Sequence, residues 1–199
     1  MTPRLAVPAI VVALSVTLAA CGGDDASSTK GGAVASPGGS AAGAALNAAD
    51  IGFAQGMIAH HEQAIEMAEI ALDPNAGASA EVVDLATRIK GAQDPEVQLM
   101  TGWLTAAGEP ITMDMSEGHD MSSMEGMMTA EQMDALAVLT GAEFDRMWLQ
   151  MMIAHHEGAI SQSETVKALG ANAEVLALAD RIITAQQAEI AEMQALLQG

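Results

Sequence analysis

Tyrosine is absent from the chain, and the other aromatics amount to two phenylalanines and two tryptophans. A core cannot be built on rings here. It must be filled by aliphatic side chains and by some of the 15 methionines, whose flexible thioethers suit irregular gaps. Cysteine occurs once, at Cys21, which excludes an intramolecular disulfide. Basic residues are scarce, 7 against 26 acidic ones, for a formal net charge of −19. Such a surface repels nucleic acid and anionic lipid and draws cations. Nucleic acid is therefore not an expected partner. No phosphate loop, nucleotide fingerprint or nucleophile–base signature is visible. The longest apolar run, Leu5 to Ala20, falls short of the ~20 residues that span a bilayer.

That run has Arg4 in front of it and small residues behind, and it reads as an export signal over residues 1–20. It ends in Leu18-Ala19-Ala20-Cys21 followed by Gly22-Gly23, which resembles a bacterial lipobox. Cleavage before Cys21 and lipidation of its thiol are expected. This would place the protein on the outer face of the cell membrane, in the bacterial cell envelope. The plain alternative is an ordinary signal with a chance cysteine. Residues 21–46 are rich in Gly, Ala and Ser and read as a flexible tether. Without Arg4 the chain keeps 6 basic residues against 26 acidic ones, a net charge of −20. The lipid would then anchor unaided by any basic patch. Residues 47–199 are left for one domain.

That domain is an internal duplication. Met57 to Ile65 reads MIAHHEQAI, and Met152 to Ile160 reads MIAHHEGAI. Asp50–Leu72 aligns with Asp145–Lys167 at a spacing of 95, and Glu81–Leu104 with Glu174–Leu197 at 93. The lost residues fall in a connection, where shortening costs little. Each copy predicts helix, turn, helix, and two such hairpins predict an all-α, four-helix bundle. The expected parts are hairpin one over 47–108, a Met-rich loop and short helix over 109–141, and hairpin two over 142–199. Thr129-Ala130-Glu131-Gln132 looks like a capping box that starts the short helix, with Met133, Leu136 and Leu139 inward and an end near Gly141. Pro95 predicts a kink near Gly91, because its ring clashes with the carbonyl four residues back.

On a helical wheel of about 100° per residue, Phe53, Met57, His60, His61, Ala64, Met67, Ala68 and Ala71 share one face. Copy two places Trp148, Met152, His155, His156, Ala159, Gln162, Ser163 and Val166 there. Both histidine pairs look inward, while Glu62 and Glu157 point away. The second helices carry stripes of Val82, Leu85, Ile89, Ala92, Glu96, Met100 and Trp103, and of Val175, Leu178, Ile182, Ala185, Glu189, Met193 and Leu196. Glu96 and Glu189 lie mid-stripe, where a carboxylate needs a partner.

Imidazole suits Cu, Zn, Fe and Ni, and thioether favours Cu(I). A Met/His set in an oxidising compartment points to copper first, with Cu(I) favoured and another transition metal as the alternative. Met57 is at i, i+3 and i, i+4 to His60 and His61, and Met152 stands likewise to His155 and His156. Adjacent histidines diverge by about 100° and should not chelate one ion together. One of each pair is expected to bind metal while the other bonds to Glu96 or Glu189, or each serves a separate site. The plain alternatives are core histidines, core methionines, and Glu62 and Glu157 paired with Arg88 and Arg181. The loop adds Met113, Met115, His119, Met121, Met124, Met127 and Met128, seven Met or His in 16 residues. That density favours metal capture over a solvated linker.

MIAHHEQAI and MIAHHEGAI, with GMMT before the second copy and EFDRMWLQ leading into it, resemble the bacterial domain of unknown function 305 family over about 47–199. The resemblance implies a ferritin-like bundle, export or lipid anchoring, and, from some members, copper binding and copper tolerance. It implies metal-site roles for His60, His61, His155 and His156, and less firmly for Met57 and Met152. The chain departs from di-iron bundles, whose inward Glu-x-x-His pairs it lacks. The expected function is a non-enzymatic, membrane-tethered copper binder for sequestration or tolerance, whose partners are a metal ion and, through Cys21, the membrane. A homo-oligomer is left open. The alternatives are a metal-dependent ferritin-like oxidoreductase and a metal-free structural or interaction module.

Overall fold

Asn47 accepts a hydrogen bond from the Asp50 amide at 2.8 Å while Asp50 accepts from the Asn47 amide at 2.9 Å. This reciprocal cap opens helix α1, Ala48–Leu72. Ser79 caps α2, Ala80–Ala107. Thr129 and Gln132 form the box that opens α3, Ala130–Ala137. Helix α4 runs over Gly141–Leu169, and Asn172 caps α5, Ala173–Gln198. A 3-10 turn, Pro74–Ala76, joins α1 to α2. These come from a computed structural model that describes residues 45–113 and 124–199. They belong to a unit spanning Ser40–Gly199. The expected signal, Cys21, almost all of the tether, Met115, His119 and Met121 lie outside the described residues. Among those residues every regular element is helical, and no helix is long and apolar enough to cross a membrane.

The helices pair by repeat. Helix α1 packs on α2, α4 packs on α5, and α1 meets α4 between the hairpins. Helices α1 and α4 are antiparallel. Asn47, before α1, donates to the Leu169 carbonyl at the end of α4, and Trp148, early in α4, donates to the Met67 carbonyl late in α1 at 2.9 Å. The buried apolar residues form two clusters. One gathers the end of α1 and the starts of α2 and α4, with Met67, Leu85, Ile89, Phe144, Trp148 and Met152. The other gathers the start of α1 and the ends of α2 and α4, with Phe53, Met57, Met100, Leu104 and Val166.

Helix α2 runs on through Pro95, so loss of one amide does not end it. Two expectations need correction. The short helix stops at Ala137, so Leu139 lies past its end. Ala92 and Ala185 are exposed, and Gln93 and Gln186 are buried in their place. The reason is geometric. Val82, Ala86, Ile89, Gln93, Glu96 and Met100 step by four and three alternately, a heptad seam, and α5 repeats it from Val175 to Met193.

Candidate functional site

Between the two apolar clusters lies a polar layer. Helix α1 contributes His60 and His61, which fall between Ile58 and Ala64. Helix α4 contributes His155 and His156, between Met152 and Ala159. The seams of α2 and α5 add Gln93, Glu96, Gln186 and Glu189. All four histidines are fully buried.

Within each pair the two rings have different partners. The His61 Nε2–H donates to Glu96 Oε2 at 2.8 Å, and His156 Nε2–H to Glu189 Oε2 at 2.7 Å. His60 and His155 face each other across the hairpin boundary, ring centroids 3.8 Å apart and planes tilted by 47°. Burial, reinforced by the neighbouring His61 and His156, pushes the His60 pKa down to about 3. Burial also drives His155 well below the usual histidine range, with His60, His156 and His61 adding repulsion and the His60 carbonyl, which makes no hydrogen bond of acceptable geometry to the ring, pulling weakly the other way. Both facing rings are therefore neutral at physiological pH, the form that ligates metal.

The layer leaves polar atoms without a protein hydrogen-bond partner. These are Nδ1 of all four histidines, Nε2 of His155, and Oε1 of Gln93 and Gln186. Each such atom costs ~1–3 kcal/mol when buried, so a fold that concentrates them in one layer is equipped for a guest. Among the described residues no three His, Cys, Asp or Glu side chains are grouped to hold a metal. The facing His60 and His155, with ring nitrogens that lack a protein partner, fit an ion held by few nitrogens rather than a zinc site with four protein ligands.

The chain after Met124 lies directly on this layer. The Glu125 carbonyl accepts from His60 Nε2–H at 3.2 Å. Gln63 grips the backbone of Met128 twice, donating to its carbonyl at 2.9 Å and accepting from its amide at 2.7 Å. Gly158 opens the other side. A β-carbon there would collide with the Glu125 carbonyl and sit 2.8 Å from the Gly126 α-carbon. Gly126 itself has φ of 82°, and a β-carbon there would sit 2.7 Å from the Ala154 carbonyl oxygen. The Ser161 hydroxyl donates to the Glu125 carboxylate at 2.7 Å. Gln63 and Gly158 are the position at which the two nine-residue motifs differ, and the difference seats this strap.

The methionines divide. Met57 is fully buried in one cluster and Met152 in the other, each one turn before its histidine pair. Met128 is buried among the residues of the Met152 cluster. Met127 is half-buried. Met124 reaches α1 at Gly56, where a β-carbon would meet its methyl at 3.4 Å. Met113 lies with Gln55, Ile58, Ala59, Glu62, Ile111 and Thr112 around a groove of about 240 Å³. Met113 and Met124, at the two ends of residues 114–123, both lie against α1. Glu62 and Glu157 are exposed, and the expected pairing with Arg88 and Arg181 does not occur. Arg88 bonds instead to Asp84 at 2.9 Å and Glu192 at 2.6 Å, and Arg181 donates to the Ala177 carbonyl.

Sequence reasoning missed a second symmetric feature. Asp50, fully buried in α1, accepts from the Ala171 and Asn172 amides at 3.2 Å, at the start of α5. Its counterpart Asp145 accepts from the Ser79 amide at 3.2 Å, at the start of α2. The first helix of each copy thus holds the second helix of the other, which fixes the facing of the histidine helices. The available signal was the alignment of Asp50 with Asp145 and of Ser79 with Asn172.

The family model for the domain of unknown function DUF305 matches residues 50–197. Similar solved structures include DUF305 proteins and CopM. A DUF305 protein of Streptomyces coelicolor, assigned as secreted, is 31% identical, with 75% of this chain and 92% of that chain covered and a TM-score of 0.69. A DUF305 fragment from Deinococcus radiodurans is 29% identical, with coverage of 77% and 97% and a TM-score of 0.68. CopM in its Cu(II)-bound form is 34% identical, with coverage of 75% and 95% and a TM-score of 0.63. CopM has also been solved in Cu(I)-bound, Ag-bound and apo forms. No curated protein matches.

Proposed function

The chain belongs to the DUF305 family, and from that premise we propose that it is an extracytoplasmic binder of soft metal ions, copper above all, serving sequestration or tolerance. One observation carries the reading. Two buried neutral imidazoles, one from each repeat, face each other at 3.8 Å and leave nitrogens without any protein partner. His60 and His155 would hold the ion, with thioether supplied by Met57 or Met152 or by the Met-rich segment, Met113 to Met128. His61 and His156, tied to Glu96 and Glu189, would flank it. The likeness to CopM, solved with Cu(I), Cu(II) and Ag, supports this choice of metal.

Cu(I) is the favoured state, because few ligands and soft sulfur suit it. The acidic surface concentrates cations near the site. The helix arrangement reads as a ferritin-like four-helix bundle, with α3 as an addition to its long connection. Cleavage before Cys21 and lipidation there would tether the domain outside the membrane through residues 21–46. The test is competition against a Cu(I) chelator. The wild-type chain should withdraw copper and the double variant His60→Ala, His155→Ala should not. Wild-type protein that leaves the chelator fully loaded would sink the proposal.

A further inference from the structure

His60 differs from the other histidines in who holds its ring proton. His61 and His156 give theirs to carboxylates, whereas His60 Nε2 faces the main-chain carbonyl of Glu125 at 3.2 Å. A carbonyl oxygen can only accept, so the proton of the neutral ring is on Nε2 and the lone pair on Nδ1. That Nδ1 is buried and has no protein partner. A ligating imidazole is characteristically oriented by an acceptor on its other nitrogen, which fixes tautomer and ring plane and raises basicity. The Glu125 carbonyl does for His60 what Glu96 and Glu189 do for His61 and His156.

The carbonyl is held in place from both repeats. Gln63 pins Met128 through two hydrogen bonds, and the missing side chain at Gly158 lets the Glu125–Gly126 backbone lie on α4. We propose that residues 124–128 form a positioning strap: Gln63 and Gly158 seat the Glu125 carbonyl so that His60 presents Nδ1, and not Nε2, as its metal-ligating atom. The proposal rests on the metal-binding reading above and adds the ligating atom and the residues that set it. It also couples the site to the Met-rich segment, because the strap is that segment's last stretch. Gln63 touches no candidate ligand atom itself and acts through the strap.

The test uses the whole chain with two variants that lift the strap from opposite sides, Gln63→Ala and Gly158→Ala. In metal-free protein at neutral pH, nitrogen–proton correlation spectra of the histidine rings report each tautomer. Wild-type His60 should show the Nε2–H pattern, and both variants should show a mixed one, while His61 and His156 stay unchanged. Silver ion alone, which needs no reductant, then probes the site by competition, and both variants should bind it ~10–100-fold more weakly. Circular dichroism confirms that the helices remain. The inference is overturned if both variants keep the wild-type tautomer, or lose it and still bind silver as wild type does. If wild-type protein itself fails to bind silver, the metal-binding reading falls and takes the ligating role of Nδ1 with it. A merely structural strap would shift stability without moving the tautomer.

Discussion

His155→Leu should make the metal-free protein more stable, and should abolish its response to silver or copper. His155 is fully buried, and both of its ring nitrogens lack a protein partner. Each such atom costs ~1–3 kcal/mol. Leucine has a similar volume, and a volume-conserving exchange costs less than about 1.5 kcal/mol in packing. Fully buried apolar neighbours, Met152 and Ala159, lie one turn to either side and would accept it. The balance is a gain of about 0.5–6 kcal/mol, and for a domain of this size each kcal/mol raises Tm by ~2–4 °C. Chemical and thermal unfolding in the presence of a chelator measure the gain. The second arm adds metal. A ligand at a hundred times its Kd stabilises the native state by ~2.7 kcal/mol, which wild type should show and the variant should not. A variant destabilised by more than about 1 kcal/mol that keeps its metal response would refute the argument, because His155 would then be a satisfied structural residue.

The metal-free protein should lose stability as pH falls. The His60 pKa is about 3 in the fold against 6.5 as the ordinary value. Between those values the unfolded chain binds the extra proton, so stability is complete above about pH 6.5 and drains away toward pH 3. The ceiling is ~5 kcal/mol at 1.36 kcal/mol per pH unit, and His155 acts in the same direction. Urea titrations between about pH 6.5 and 4.5 should show the slope, and His60→Leu should reduce it; a flat wild-type profile would contradict the burial of neutral rings. Asp50→Ala strips the acceptor from the amides of Asn47, Ala171 and Asn172 and should cost ~2–4 kcal/mol. Asp145→Ala frees only the Ser79 amide of the other hairpin and should cost ~1 kcal/mol, so equal losses in urea would speak against the difference in the number of amides held. Cys21→Ala should move the protein from the membrane fraction to the soluble one, as loss of a lipid anchor requires.

Most of the first-helix faces were legible because helical period and duplication carry the same message twice. Phe53, Met57, His60, His61, Ala64, Met67, Ala68 and Ala71 are all buried, as the wheel predicts. The Thr129–Gln132 box was legible because capping is local chemistry. The second helices were harder. Ala92 fits an apolar stripe by composition, and the polar Gln93 takes its place only because the heptad seam passes through it. An apolar residue does not reveal which of two neighbouring faces packs. A buried amide does, once the alternation of four and three is followed along both copies.

The strap was illegible for a deeper reason. Comparing two copies of a motif directs attention to what matches, and the strap depends on the mismatch. Two hairpins of repeated sequence, packed through antiparallel α1 and α4, present similar faces, but one connection of one chain cannot lie symmetrically across them. Wherever it docks, the two copies must meet it with different residues. Here copy one meets it with a side chain that hydrogen-bonds backbone, Gln63, and copy two with the absence of a side chain, Gly158. The same asymmetry reaches the site. The strap has one Glu125 carbonyl to offer, and it goes to His60. His155, its counterpart 3.8 Å away, keeps both nitrogens without a protein partner. The two central histidines are therefore identical in the motif and different in the fold, one with its tautomer fixed and one adaptable. A fixed donor beside an adaptable one suits a site in which an ion is seated on the first and the second adjusts around it.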